Sequence, residues 1–172
     1  MIYIISLFVK CKANYHIGKF GMNSGRRISS IVIHCSAFEY GDAKQIDEFH
    51  RQRGFRMIGY HFVILNGRRK KRGKYVADDD GLIEPGRPVE MQGAHTKGYN
   101  TDSIGICLVG NPKFIGAPEM WFTEKQLASL KRLVAQLMEE FGISADEIHG
   151  HNEYAAKLCP GFRVELIRQW WQ

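Results

Sequence analysis

Cysteine is sparse in this sequence and forms no motif. Its four residues, Cys11, Cys35, Cys107 and Cys159, stand at wide, irregular spacings among 172, with no CxxC. That excludes a disulfide scaffold, a zinc ribbon and a thioredoxin-like redox motif. Cys11, Cys35 and Cys107 read as small buried hydrophobes. Long apolar runs are also missing. The longest, Ile2–Val9 with Ser6 inside it, is far short of the ~20 residues that span a bilayer. No basic stretch precedes it and no small-x-small cleavage pattern follows closely, so a signal peptide is not expected. Repeats and low-complexity tracts are absent, and a 44% apolar content excludes wholesale disorder.

What remains is material for one domain. The length allows a single core, and strand-like and helix-like periods alternate from Ile28 onward. Ile31–Ile33 is a short β-branched run, read as a buried strand ending at His34. Asp42 to Arg53 carries Ala43, Ile46 and Phe49 at helical spacing, with Asp42 as N-cap and Gly54 as stop. Tyr60–Leu65 and Ser103–Val109 read as further strands. Thr123 and Gln126 form a capping box, flanked by Phe122 and Leu127 at the staple positions. Leu127, Leu130, Val134, Leu137 and Phe141 then make a core-facing stripe that Gly142 ends, and a last short helix is expected from Val164 to Trp171. The fold class is α/β, a single domain with a central mixed sheet flanked by helices. Residues 28–172 form it, and residues 1–27 are read as an extension, with Met22 an alternative start.

The formal charge of +6 suits a polyanionic partner, nucleic acid or an anionic cell wall. Much of it lies between the second and third strands, in Asn66–Lys74, whose Arg68-Arg69-Lys70-Lys71-Arg72 run is followed by Asp78-Asp79-Asp80-Gly81. Gly67, Gly73 and Gly81 suggest hairpin turns. A solvated hairpin tip is the simpler reading of the basic run. No helix-turn-helix, stacking sheet or zinc finger accompanies it, so nucleic acid is not expected as the main partner. The acidic stretch lacks most positions of a calcium loop.

Among seven histidines, two stand out. His34 closes a buried strand, where α/β sheets place functional groups. His151 lies eight residues before Cys159, and Cys159 precedes Pro160 in a loop where a merely buried cysteine has little reason to be. Two imidazoles and a thiolate suit tetrahedral zinc, and three protein ligands leave a fourth position open, as in catalytic sites. On spacing alone, structural roles for all three stay open.

The segments IVIHCSA (31–37), GYHFVI (59–64), GAHTKGYNTDSIGICLVG (93–110) and HNEYAAKLCPGF (151–162) together resemble the type-2 N-acetylmuramoyl-L-alanine amidase family. The likeness is greatest to the short amidase-type lysozymes of phages, with peptidoglycan recognition proteins more distant. It spans roughly Ile28 to Trp171. The resemblance implies one zinc ion per chain on His34, His151 and Cys159, and a non-ligating catalytic pair in Tyr60 and Lys157. It places His95 and Asn100 along the substrate groove, and leaves His50, His61 and His149 structural or solvated. The implied substrate is peptidoglycan, cut at the amide between N-acetylmuramic acid and L-alanine. The basic insertion and residues 1–21 have no counterpart in the family pattern. Asn152 stands where relatives carry a second histidine.

The rival on the same fold is a non-catalytic peptidoglycan-binding module. Such modules commonly lose the ligating cysteine, and Cys159 is present here. A monomer is expected, made in the cytoplasm and reaching the wall only after release or export.

Overall fold

The computed structural model describes residues 25–172; the expectations about Ile2–Val9, Cys11 and Met22 fall outside them. Five strands form one sheet: β1 (Ser30–Cys35), β2 (Phe62–Asn66), β3 (Asp80–Pro85), β4 (Ser103–Leu108) and β5 (Ile148–Gly150). Their order is β3-β2-β4-β1-β5, with β2, β4, β1 and β5 parallel and β3 antiparallel on the β2 edge. The helices are α1 (Ala43–Gln52), α2 (Glu124–Phe141) and the single turn α3 (His151–Tyr154). The mixed α/β expectation holds.

The central strands are buried on both faces, and the period of two divides them. Ile31, Ile33, Ile104, Ile106, Leu108, Phe62 and Ile64 turn to one face and meet Leu127, Leu130, Leu133, Val134 and Leu137 of α2. Thr123 and Gln126 make the expected capping box, and Gly142 ends α2 in the left-handed conformation. The amide of Gln126, fully buried, donates to the carbonyls of Ile64 and Val109 and so ties α2 to two strand ends.

On the opposite face, Val63, Leu65, Cys107 and Val109 pack against Ile46 of α1 and Ile58. His34 follows Ile33 by one residue, so it belongs to this second face. There it is covered not by a helix but by the rings of Tyr60, His95 and His151, with centroids at 5.0, 5.0 and 4.7 Å. The functional corner thus begins inside β1, on the sheet's face, rather than beyond a strand's end.

Three details depart from the pattern. In α1 the buried partner of Ile46 is His50, one turn on, whereas Phe49 is 38% exposed. His50 Nδ1 accepts from Gly59 N, and its ring stacks on Phe55, which makes an imidazole the inward residue. Tyr60 and His61 precede the β2 ladder instead of starting it. The expected C-terminal helix is two separate 3-10 turns, Val164–Leu166 and Arg168–Trp171.

The basic insertion is a hairpin tip, as expected, with one exception. Arg68, Lys70, Lys71, Arg72 and Lys74 are exposed, but Arg69 turns inward. Its guanidinium meets Asp79 at 2.7 Å, Glu84 at 2.8 Å and Asp42 at 3.2 Å, and its carbonyl accepts from Gln45 Nε2. One arginine fork therefore joins the α1 N-terminus, β3 and the loop. Arg69→Ala should cost about 1–3 kcal/mol, seen as a fall of roughly 3–8 °C in thermal midpoint. Arg69→Lys should recover little, because a point charge cannot engage three carboxylates, while Arg68→Ala should leave the midpoint unchanged.

Candidate functional site

Three chain segments meet over the exposed end of the second face. β1 supplies His34. The turn from β5 into α3 supplies His151, and this turn is held by Glu153, whose carboxylate accepts from Gly150 N (2.6 Å), meets Arg168 at 2.8 Å and lies 3.1 Å from His149 Nδ1. Asn152 donates to the Phe162 carbonyl and links α3 to the segment that carries Cys159. Cys159 Sγ accepts from the backbone N–H of Cys35 at 3.2 Å, which places the thiol beside His34.

His34, His151 and Cys159 offer ligand atoms that all lie within 4.8 Å of one another. His34 Nδ1 stands 3.7 Å from Cys159 Sγ. Two donors on a tetrahedral zinc, with Zn–N near 2.0 Å and Zn–S near 2.3 Å, are about 3.5 Å apart. The donor set fits such a metal, and the His34–Cys159 pair already stands close to that spacing.

The electrostatics agree. Burial, then the nearby His95, His151 and Lys157, holds His34 well below the usual histidine range. Burial and then Lys157 bring His151 down to about 4. Both imidazoles are thus neutral at pH 7, as ligation demands. The Cys159 thiol is pushed well up by its hydrogen bond with the Cys35 side chain and by burial; a cation at the site reverses that preference, since a coordinating thiol is deprotonated.

Tyr60 packs its ring on His34, 5.0 Å between centroids, and the charge of Lys157 acts on both His34 and His151. Burial drives the Tyr60 phenol well above its usual value, so the hydroxyl keeps its proton. Lys157 is exposed and, with His95, Thr96, Asn100, His151 and Tyr154, lines an open groove of about 560 Å³.

His95 and Asn100 do line that groove, but their polar atoms point elsewhere. Asn100 Oδ1 accepts from the backbone of both His95 and Thr96 at 2.8 Å and closes their loop. His95 Nδ1 lies 3.1 Å from His34 Nε2. His61 is structural, taking a bond from Gly105 N and reaching the Met91 carbonyl. The contributions of Thr96, Ser103 and Glu153 had no separate signal in the sequence; Thr96 and Ser103 were visible only as neighbours within the GAHTKGYNTDS segment.

The sequence profile of the N-acetylmuramoyl-L-alanine amidase family matches residues 24–162. The chain belongs to that family. An endolysin of Klebsiella phage KP32 is 33% identical over 148 residues, covering 84% of this chain and 85% of its own. Among solved structures, the amidase LysC from Clostridium intestinale is 29% identical, with a TM-score of 0.67, over 85% of this chain and 86% of that one. Drosophila PGRP-LB is 26% identical, with a TM-score of 0.63, over 85% and 82%. In this amidase chain the segments that carried the resemblance are the ones that converge, His34, His151 and Cys159 at one point and Tyr60, His95 and Lys157 around it.

The site is also a store of neutral histidine. His61, at about 4, His95, at about 3, and His151 and His34 are all depressed, in each case first by burial. In the unfolded chain each returns to about 6.5. Below that value the unfolded chain binds more protons than the native one, so stability is lost as pH falls toward about 4. The chelator-treated protein should lose at least roughly 5 °C of thermal midpoint between about pH 7 and 4.5. A midpoint level across that range contradicts the assignment.

Proposed function

We propose that this amidase hydrolyses the bond between N-acetylmuramic acid and L-alanine in peptidoglycan, with one zinc ion per chain held by His34, His151 and Cys159. The observation that carries this reading is the convergence of two neutral imidazoles and a thiol beside an open groove that His151 and Lys157 line, with Tyr60 packed on His34. Zinc held there supplies Lewis acidity toward the attacked carbonyl and the attacking water.

The chain's own groups do the rest. Tyr60, whose ring packs on His34, brings its hydroxyl to the site, where it orients the attacking water or the carbonyl. Lys157 brings a positive charge to the mouth of the groove, where it stabilises the oxyanion that forms as the amide is attacked. His95, Thr96 and Asn100 form one wall. The products are a glycan with free muramic acid and a stem peptide beginning with L-alanine.

Retention of Cys159 beside both histidines favours hydrolysis over wall recognition alone. Among the described residues no helix is long and apolar enough to cross a membrane. The enzyme acts as a monomer, made in the cytoplasm and meeting the wall once released. Its exposed cations at Arg68, Lys70, Lys71, Arg72 and Lys74 concentrate it on that polyanion.

Purified protein should release fragments with new L-alanine amino termini from peptidoglycan. Chelation or Cys159→Ala should abolish release while wall binding persists, and Tyr60→Phe should lower turnover by about 10²–10³-fold. Continued release by Cys159→Ala overturns the zinc reading. Neutralising the five exposed cations should weaken wall binding at low salt and leave turnover of a soluble muramoyl peptide unchanged.

A further inference from the structure

We propose that His95 is the positioning residue of the metal ligand His34, fixing which ring nitrogen carries the proton through a one-way chain of hydrogen bonds from β1 to the Tyr99 carbonyl. The proposal rests on the ligand assignment above and adds a role for a residue whose place in the groove suggests substrate contact instead.

A neutral imidazole has one donor and one acceptor nitrogen. His34 is fully buried, so neither nitrogen reaches solvent. Its Nδ1 faces Cys159 Sγ at 3.7 Å and must present a lone pair there to bind a metal. The proton then sits on Nε2, which needs an acceptor. Two stand within range, His95 Nδ1 at 3.1 Å and Thr96 Oγ1 at 3.3 Å, and the Thr96 hydroxyl lies 3.1 Å from His95 Nδ1, so it can pass the same polarity on to that atom.

If His95 Nδ1 accepts, the His95 proton is on Nε2, and that atom lies 3.5 Å from Ser103 Oγ. The Ser103 hydroxyl is already committed as a donor, in a short hydrogen bond to the Tyr99 carbonyl. A carbonyl only accepts, so Ser103 offers its lone pairs back toward His95. The chain therefore runs in one direction, His34 Nε2–H to His95, His95 Nε2–H to Ser103, and Ser103 O–H to Tyr99. A metal at one end and a carbonyl at the other both enforce that polarity.

The surroundings are shaped for this ring. A Cβ on Gly93 or Gly105 would lie 2.5 Å from His95 Cδ2, so both positions leave room only for the imidazole. Asn100 holds the His95 and Thr96 backbone from the loop side. His61, edge-on at 5.7 Å, has both its nitrogens on backbone groups and does not compete for the proton. Ser103 and Gly105 belong to β4, which pairs with β1, so donor and acceptor ends share one rigid frame.

A partner of this kind orients a ligating imidazole and raises its basicity, and its loss typically weakens metal binding by about 10–100-fold. The test is zinc affinity, measured by competition with a chromophoric chelator, on full-length wild type, His34→Ala, His95→Ala, His95→Asn and Ser103→Ala, each checked for native circular dichroism. His95→Ala should bind zinc about 10–100-fold more weakly, a loss larger than any fall in its turnover at saturating zinc. His95→Asn, whose Oδ1 stands near the place of Nδ1, should recover most of the affinity, and Ser103→Ala should show a smaller loss. Wild-type affinity in His95→Ala, with turnover still low at saturating zinc, overturns the proposal and returns His95 to the substrate. If His34→Ala itself binds zinc like wild type, the ligand assignment has failed, a result distinct from failure of the relay.

Discussion

The structure depends on a histidine buried within a strand, one residue from its end. Sequestering an imidazole from water is unfavourable unless both nitrogens find partners. His34 has no solvent to turn to, so the chain must bring partners to it from both sides. One side is met by the loop of His95 and Thr96, the other by the corner that holds Cys159 and His151. The β-branched sheet around it makes this exacting, since Val63, Leu65 and Cys107 on the same face leave no polar alternative. Folding the core and assembling the site are consequently one process.

That coupling explains why the site's components come from distant stretches. His34 and Cys159 are 125 residues apart, yet the hydrogen bond from Cys35 N to Cys159 Sγ fixes them through the backbone of β1. His151 is placed by the pairing of β5 with β1, Ile31 opposite Ile148, and by the Glu153–Arg168 tie that anchors α3. A metal bound by these groups would stabilise the native state alone, because the unfolded chain has no such convergence.

How much of this was legible in the sequence follows from how each feature is encoded. α2 was plain, because a capping box, an apolar stripe and a terminal glycine all agree over eighteen residues. β1 and β4 were plain as unbroken apolar runs. β3 carries only Leu82 and Ile83 between Asp80-Gly81 and Glu84-Pro85, and β5 is three residues long, so neither shows an apolar period. Phe49 was the natural choice for the buried face of α1; His50 took that place because Gly59 N supplied a partner for its ring. Of six basic residues in the insertion, only Arg69 turns in, and only the three carboxylates around it distinguish it from its neighbours. The candidate ligand residues were visible through motif order rather than spacing, since four short segments in sequence specify a family that no single one does.

The direction of the hydrogen bonds was the part no motif could encode. A motif names residues, and His95 within GAHTKGYN reads equally well as a groove wall or as a support for His34. What separates the two is the short bond from Ser103 to the Tyr99 carbonyl, which leaves the serine oxygen only an accepting role and so carries a preference for one tautomer back toward the strand. Charge is arranged on the same logic. Inside, neutral imidazoles are held by geometry, so that a divalent cation meets lone pairs instead of protons. Outside, the cations of the hairpin tip and Lys157 stand exposed to solvent. Had the interior histidines been protonated as well, they would repel a cation brought to them; burial keeps the interior uncharged and leaves the positive charge outside.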